Sequence, residues 1–217
     1  MRSLIVVSLL FILILFSGTT GAVTKKKNTH KVASSAEDIC PILIGTELPE
    51  ITLETADKQL FNLNEAVFQK STVLIVYRGS WSPFCTIFLA QIEGIQQDLL
   101  GLGYQIIAFS ADRPEKLKEF KGKSIRRYTL LSDRKMTAAK ALGLAFRVPD
   151  DVVKLYKQQY QIDLEEASGE PHHILPVPAV FIINTNGVVL FEFINPNYKD
   201  RINPEVLLAA AESYRNS

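Results

Sequence analysis

VLIVYRGSWSPFC, Val73 to Cys85, joins a β-branched apolar run to a turn that holds a tryptophan, a proline and a cysteine. Val73 to Tyr77 is continuously apolar rather than alternating, the pattern of a strand buried on both faces. Beyond Cys85, the residues Phe88, Leu89, Ile92, Ile95 and Leu99 recur at helical spacing, with Gln91, Glu93, Gln96 and Asp98 between them. That spacing predicts an amphipathic helix closed by Gly101 and Gly103. The stretch reads as strand, tight turn and helix, with Cys85 at the helix start.

Outward from this unit, Ile51 to Glu54 and Gln59 to Phe61 flank Ala56-Asp57-Lys58 and predict a hairpin. Tyr104 to Ser110 is a second apolar strand, and Asp112 before Pro114 predicts a capped helix through Lys121. Tyr128 to Leu131 is a short strand, followed by a helix over Met136 to Leu142. Gly143 to Glu170 reads as an insertion with a helix from Asp150 to Tyr160. Ala179 to Asn184 and Val188 to Ile194, around Asn186-Gly187, form the clearest hairpin, and a helix capped by Asn203 starts at Pro204. This order predicts an α/β protein: a central mixed β-sheet covered by helices, with an N-terminal hairpin extension. Open α/β sheets carry their sites at the carboxyl ends of the strands, which is where Arg78 to Cys85 falls.

The 217 residues, 47% of them hydrophobic, suit one domain with a substantial core. Arg2, the apolar run Leu4 to Phe16 and the small residues Thr20-Gly21-Ala22 predict a secretory signal peptide over residues 1–22. The run is shorter than the roughly 20 residues a spanning helix needs; an uncleaved membrane anchor is the alternative. Residues 23–41, with Lys25-Lys26-Lys27, predict a flexible linker, which leaves 42–217 as the domain. Arg2 is the only charge in the first 22 residues, so the trimmed chain is formally neutral. That balance gives no electrostatic reason to expect nucleic acid or a membrane surface as partner.

Two cysteines, Cys40 and Cys85, allow one disulfide in an oxidising compartment but no disulfide scaffold. No Cys/His spacing suggests zinc, so neither a metal nor a cofactor is expected. His172 and His173 read as solvated loop residues, and Asp133, Asp163 and Glu165-Glu166 as surface or capping groups. The bland reading of Cys85 is a small core residue, since free cysteines are among the most buried side chains. Cys40, before Pro41, reads as a resolving thiol, a bond to another chain, or an idle group.

With these elements in place, the chain resembles the peroxiredoxin-like proteins of the alkyl hydroperoxide reductase and thiol-specific antioxidant family, built on a thioredoxin-like fold. The resemblance runs from about Ile44 to the C-terminus. It rests on VLIVYRGSWSPFC, on LSDRKMTAAKALGLAF (Leu131 to Phe146), on LPVPAVFIINTNGVVLF (Leu175 to Phe191) and on INPNYKDRINPEVLLAA (Ile194 to Ala210). Relatives carry Trp-Cys-Pro-Tyr-Cys at the turn, so Ser82 replaces the first of two cysteines. A disulfide-reductase cycle needs both thiols and cannot close within this motif.

The family's peroxide-reacting pattern is Thr or Ser, two residues, then cysteine, and Ser82-Pro83-Phe84-Cys85 fits it. The resemblance implies Cys85 as the attacking thiol, since a helix N-terminus favours the thiolate form of a cysteine. It implies the Ser82 hydroxyl as a donor to that sulfur or a holder of the peroxide oxygen, with Trp81 and Pro83 shaping the turn. The family places a proline where this chain has Arg78, and an arginine just before the strand at Ala179, where this chain has Pro178. Arg78 is the candidate substitute for that arginine. Pro178 matches the thioredoxin-fold proline that follows a cis peptide bond and faces the cysteine.

The implied function is an exported thiol-dependent peroxidase that reduces a hydroperoxide through a sulfenic acid. Its partners would be Cys40, an external thiol or a thioredoxin-like reductant, with a homodimer left open. The rival is a catalytically silent thioredoxin-fold binding or structural protein that has lost the first cysteine of its site. Cys85 exposed in a pocket favours the enzyme; burial beneath Phe84 and Trp81 favours the rival.

Overall fold

Leu74 and Val76 point to one side of their strand and Val73, Ile75 and Tyr77 to the other, and all five are buried. In the computed structural model, which describes residues 31–121 and 128–216, that strand is central. The predicted signal peptide and residues 23–30 of the predicted linker lie outside the described residues. The first half of the chain runs through β1 (Thr52–Thr55), β2 (Leu60–Asn62), α1 (Leu63–Gln69), β3 (Thr72–Tyr77), α2 (Pro83–Gly101), β4 (Gln105–Ser110), α3 (Pro114–Lys121) and β5 (Thr129–Ser132). The second half adds α4 (Thr137–Ala141), β6 (Ala145–Arg147), α5 (Asp150–Gln159), α6 (Leu164–Ser168), β7 (Ile174–Pro176), β8 (Ala179–Ile183), β9 (Val189–Ile194) and α7 (Pro204–Ser213).

The main sheet has seven strands in the order β2-β1-β5-β4-β3-β8-β9. β3 and β5 run parallel to β4, whereas β8 is antiparallel to β3 and β9 antiparallel to β8. The predicted N-terminal hairpin is β1–β2, and β1 joins it to the sheet edge through antiparallel pairing with β5. The mixed sheet covered by helices is thus as expected.

One face packs Leu74, Val76, Phe109 and Phe181 against Leu63 and Val67 of α1 and Ala138 of α4. The other packs Ile75, Tyr77 and Ile182 against Phe88, Leu89 and Ile92 of α2 and Leu207 and Ala211 of α7. A third cluster joins Met136, Ala145, Leu164 and Leu175, with Trp81 and Tyr156 packed on it. It is built around the insertion, whose β6 pairs with β7 in a separate two-stranded sheet.

α2 ends in a Schellman arrangement: Gly103, at φ 95°, donates to Leu100 while Tyr104 donates to Leu99. Tyr104 then closes the same face by donating its hydroxyl to the Ala211 carbonyl at 3.0 Å.

Two expectations are corrected. Residues 31–41 are not a flexible linker: Ala33 bridges to Phe146, its N–H donates to the Ala145 carbonyl, and its own carbonyl accepts from Arg147. Val32 and Ile39 pack on separate core clusters, and apolar burial ties this polar-looking stretch to the domain. The second correction concerns Pro178, whose preceding peptide bond is trans; no cis bond occurs among the described residues. Val177 donates to the Leu144 carbonyl at 2.9 Å and passes directly from β7 into β8, an extended path that suits the ordinary trans form.

Candidate active site

Ser82 takes the N-cap position of α2 with extended backbone angles, and Pro83 supplies a first-turn residue that needs no hydrogen-bonded amide. Cys85 therefore sits in the first helical turn. Its N–H and that of Thr86 both donate to the Ser82 carbonyl at 3.0 Å. The Ser82 hydroxyl makes no capping bond, although Ser82 is buried. Cys85 is 0% exposed and belongs to the cluster that holds Phe88 and Leu89.

The polar contact to its sulfur comes from Arg201, in the loop between β9 and α7, whose Nη2 lies 3.5 Å from Sγ. A guanidinium–sulfur contact strengthens as the sulfur acquires negative charge. The residue at the expected arginine position is a proline, and the cation arrives from a different segment. Sequence reasoning missed Arg201, although the residue lies inside INPNYKDRINPEVLLAA, one of the stretches that carry the family resemblance.

Arg78, the expected substitute, does not reach the sulfur. It points inward, only 4% exposed, with its guanidinium carbon 4.2 Å from the Tyr198 ring centroid, 5.1 Å from Trp81 and 5.5 Å from Tyr156. Its Nη2 donates to the Tyr156 hydroxyl at 2.5 Å. Arg78 and Pro178 both line a cavity of about 230 Å³, with Val148, Val177, Tyr156 and Tyr198. Tyr198 also meets Phe84 edge-on, with ring centroids 5.6 Å apart. The cavity thus neighbours the turn without including Cys85 among its walls.

Trp81 is held by Gly79 and Arg78 together. A Cβ at Gly79 would fall 2.2 Å from Trp81 Nε1, so only glycine lets the indole lie against the backbone there. The turn is also tied to β4. Asp112 Oδ2 accepts from the Ser80 N–H at 2.6 Å and from the Ser110 hydroxyl at 3.0 Å. Asp112 is therefore not the cap of α3 that its place before Pro114 predicts. Burial pushes its carboxyl up to about 6 against the pull of those hydrogen bonds. Among the described residues, its buried Oδ1 and the buried Tyr77 hydroxyl have no hydrogen-bond partner.

Cys40 is placed elsewhere. It is exposed and Cys85 is buried, and both thiols are free. Ile39 and Ile42 beside Cys40 belong to the α1 and α4 face, whereas Cys85 belongs to the α2 and α7 face. Gly143, at φ 71°, lies so close to the Cys40 carbonyl that a Cβ there would fall 1.9 Å from it. The structure brings Arg78, Trp81, Ser82, Pro83, Cys85 and Pro178 to one end of the sheet, and it does not bring Cys40 there.

The remaining polar residues have structural partners. His172 Nε2 lies 2.7 Å from the Arg134 carbonyl and His173 Nε2 lies 3.0 Å from Glu165 Oε1. Asp163 caps α6 through the Glu165 and Glu166 amides, as expected of a capping group. Asp133 caps α4 with both oxygens, to Ala138 and Ala139, but it is buried rather than on the surface. Burial pushes its carboxyl up to about 7.

Comparison with known proteins follows the same geometry. Residues 44–191 match the AhpC/TSA family. The chain is 28% identical over 136 residues to peroxiredoxin Bcp of Escherichia coli strain K12, covering 62% of this chain and 85% of that protein. Among solved structures, reduced Prx3 from Vibrio vulnificus in complex with H2O2 aligns with a TM-score of 0.64 at 22% identity, covering 79% of this chain and 99% of that one. Peroxidoxin BcpB from Mycobacterium tuberculosis aligns with a TM-score of 0.61 at 17% identity, covering 78% and 96%.

Proposed function

We propose, from the premise that this chain belongs to the AhpC/TSA family, that Cys85 is the thiol with which it reduces hydroperoxides. Membership makes it a peroxiredoxin-like thiol peroxidase, an oxidoreductase. The observation that carries the residue assignment is the Arg201 guanidinium 3.5 Å from the Cys85 sulfur, at the first turn of α2.

In the proposed cycle the Cys85 thiolate attacks one peroxide oxygen. The S–O bond forms as the O–O bond breaks, leaving a sulfenic acid, and the departing oxygen takes a proton to become water or an alcohol. Arg201 meets negative charge on the sulfur before the attack and on oxygen during it. The Ser82 hydroxyl makes no capping bond and is assigned to the peroxide oxygen. One external thiol condenses with the sulfenic acid and releases water; a second breaks the mixed disulfide. The reductant is assigned to an outside thiol because Cys40 is exposed beside Ile39 and Ile42, which belong to the opposite face of the sheet from Cys85.

One observation favours the silent rival. Cys85 is fully buried, with no path to solvent in this state. Reaction requires a movement that uncovers the sulfur. The deciding experiment doses the purified protein with hydrogen peroxide in the presence of a sulfenic-acid trap, followed by peptide mass spectrometry. The adduct should fall on Cys85, Cys85→Ser should abolish peroxide consumption, and Cys40→Ser should leave the first turnover intact. Consumption unchanged in the Cys85→Ser protein would sink the assignment to Cys85, and a parent protein that neither consumes peroxide nor gives a trapped adduct would hand the case to the rival.

Export is proposed on Arg2, Leu4 to Phe16 and Thr20-Gly21-Ala22 alone. N-terminal sequencing of the protein from its own cells should begin near Val23; a start at Met1 would end that proposal.

A further inference from the structure

We infer that the cavity beside the turn is a binding site for a small monocarboxylate with an apolar body, held by Arg78. Buried charges are ordinarily paired, because taking an ion out of water is costly. Arg78 is buried, yet among the described residues it forms no ion pair with a carboxylate. Its Nε is buried with no hydrogen-bond partner. The three rings around it offset part of the desolvation, but they accept no hydrogen bond in the plane of the guanidinium. A carboxylate is the group whose two oxygens match those donors.

The cavity that Arg78 lines fixes the rest of the ligand. Val152, Val177 and Pro178 contribute apolar wall. Its volume is about 230 Å³, and an engineered apolar cavity of about 150 Å³ admits benzene. The space suits one ring or a short aliphatic chain in addition to the carboxylate. The Tyr156 hydroxyl, which accepts from Arg78, still has its own proton to donate. Glu37 stands exposed at the rim and selects against a second negative charge. The site is independent of the peroxidase reading, since Cys85 is not part of its wall.

The molecule carries its own probe. Trp81 is the sole tryptophan and its ring lies against Arg78. The full chain carrying Cys85→Ser, which removes peroxide chemistry, is titrated with phenylacetate and with its neutral isostere phenylacetamide. Phenylacetate should change Trp81 emission saturably, with half-saturation below about 1 mM and at least about tenfold tighter binding than the amide. Arg78→Gln should erase that preference. Val152→Phe, which fills the cavity from α5 and keeps Arg78, should abolish binding of both compounds even if Arg78→Gln fails to fold. Equal affinity for acid and amide would overturn the assignment. So would phenylacetate binding that survives Val152→Phe, or no binding of phenylacetate at all.

Discussion

Arg201 and Arg78 stand at the same end of the sheet and meet opposite company. Arg201 comes from a loop and places its guanidinium on a sulfur that can carry charge. Arg78 comes from the turn itself and is enclosed by three rings, one of which offers its hydroxyl, with no carboxylate paired to it among the described residues. Nearness along the chain would have chosen the wrong residue. Arg78 is seven positions from Cys85 and sets its guanidinium among Trp81, Tyr156 and Tyr198, whereas Arg201 is 116 positions away and touches the sulfur. A cation is useful at a reacting atom only where the backbone aims it. On the proposed reading of Cys85 the β9–α7 loop supplies that cation, and Pro178 stands where the resemblance implies an arginine.

The sharpest way to break the comparison is Arg201→Met. It should slow the reaction of Cys85 with hydrogen peroxide about 100-fold, the scale of losing one preorganised charge-stabilising donor. Arg201→Lys should recover part of the rate. Stopped-flow rates within twofold of the parent would remove Arg201 from the chemistry.

Gly79→Ala tests the Arg78 side. Its new methyl would displace the indole from the cage, at a cost of about 2 kcal/mol, typical of overpacking. Urea unfolding followed by circular dichroism measures the cost, and Trp81 emission should shift with it. An unchanged midpoint would mean that the indole has room to move.

Next in size is a pH effect from the two buried aspartates. Burial raises Asp112 to about 6 and Asp133 to about 7, from an ordinary 3.8. Each therefore contributes stability that is fully present below pH 3.8 and is lost as pH rises through its folded value. Within its window each group removes at most roughly 1.4 kcal/mol per pH unit. The carboxyls held low, the exposed Asp38 and Glu115 and the half-buried Asp163, act in the opposite sense but only in more acid solution. The melting temperature should fall from pH 5 to pH 7.5, and Asp112→Asn should flatten the part of that fall below about pH 6. A flat profile in the parent protein would contradict the assignment.

The smallest effect belongs to Ser82. Its hydroxyl makes no cap bond, so Ser82→Ala should change stability by less than about 0.5 kcal/mol. Its peroxide rate should drop by a factor of about five to ten, the worth of one hydrogen bond. Ser82→Thr should keep both. Equal rates in all three forms would show that the hydroxyl takes no part.

Most of the architecture was legible because the strands β3, β4 and β8 are continuous apolar runs and the Asn186-Gly187 turn is a strong local signal. Cys85 at the start of α2 was legible from the same junction. α1 was missed although its start is marked, since Asn62 caps the Glu65 amide and also donates to its carboxylate. β6 and β7 were missed because three-residue strands show no periodicity, and they are defined by each other rather than by their own residues. The docking of residues 31–41 was hidden for the same reason: it depends on Ala145 and Arg147, far along the chain. Arg201 at the sulfur, Asp112 on Ser80 and the Arg78 cage are all contacts across large sequence distances. No spacing rule reaches them. The conformation of Pro178 followed a family analogy, and the trans bond found there reflects the local path of the chain.

The contrast between the two free thiols makes the protein a gauge of its own breathing. Cys40 is exposed and Cys85 is fully buried, so a water-soluble alkylating reagent labels the first at once and the second only when α2 or its cover opens. If opening and closing outpace the reagent, the labelling rate of Cys85 in the native protein, divided by its rate in the denatured chain, is an opening equilibrium constant. Followed against urea, that ratio separates a local movement of the β9–α7 loop, insensitive to denaturant, from global unfolding, which is steeply dependent on it. The number obtained is the free energy that stands between the sulfur and anything dissolved outside.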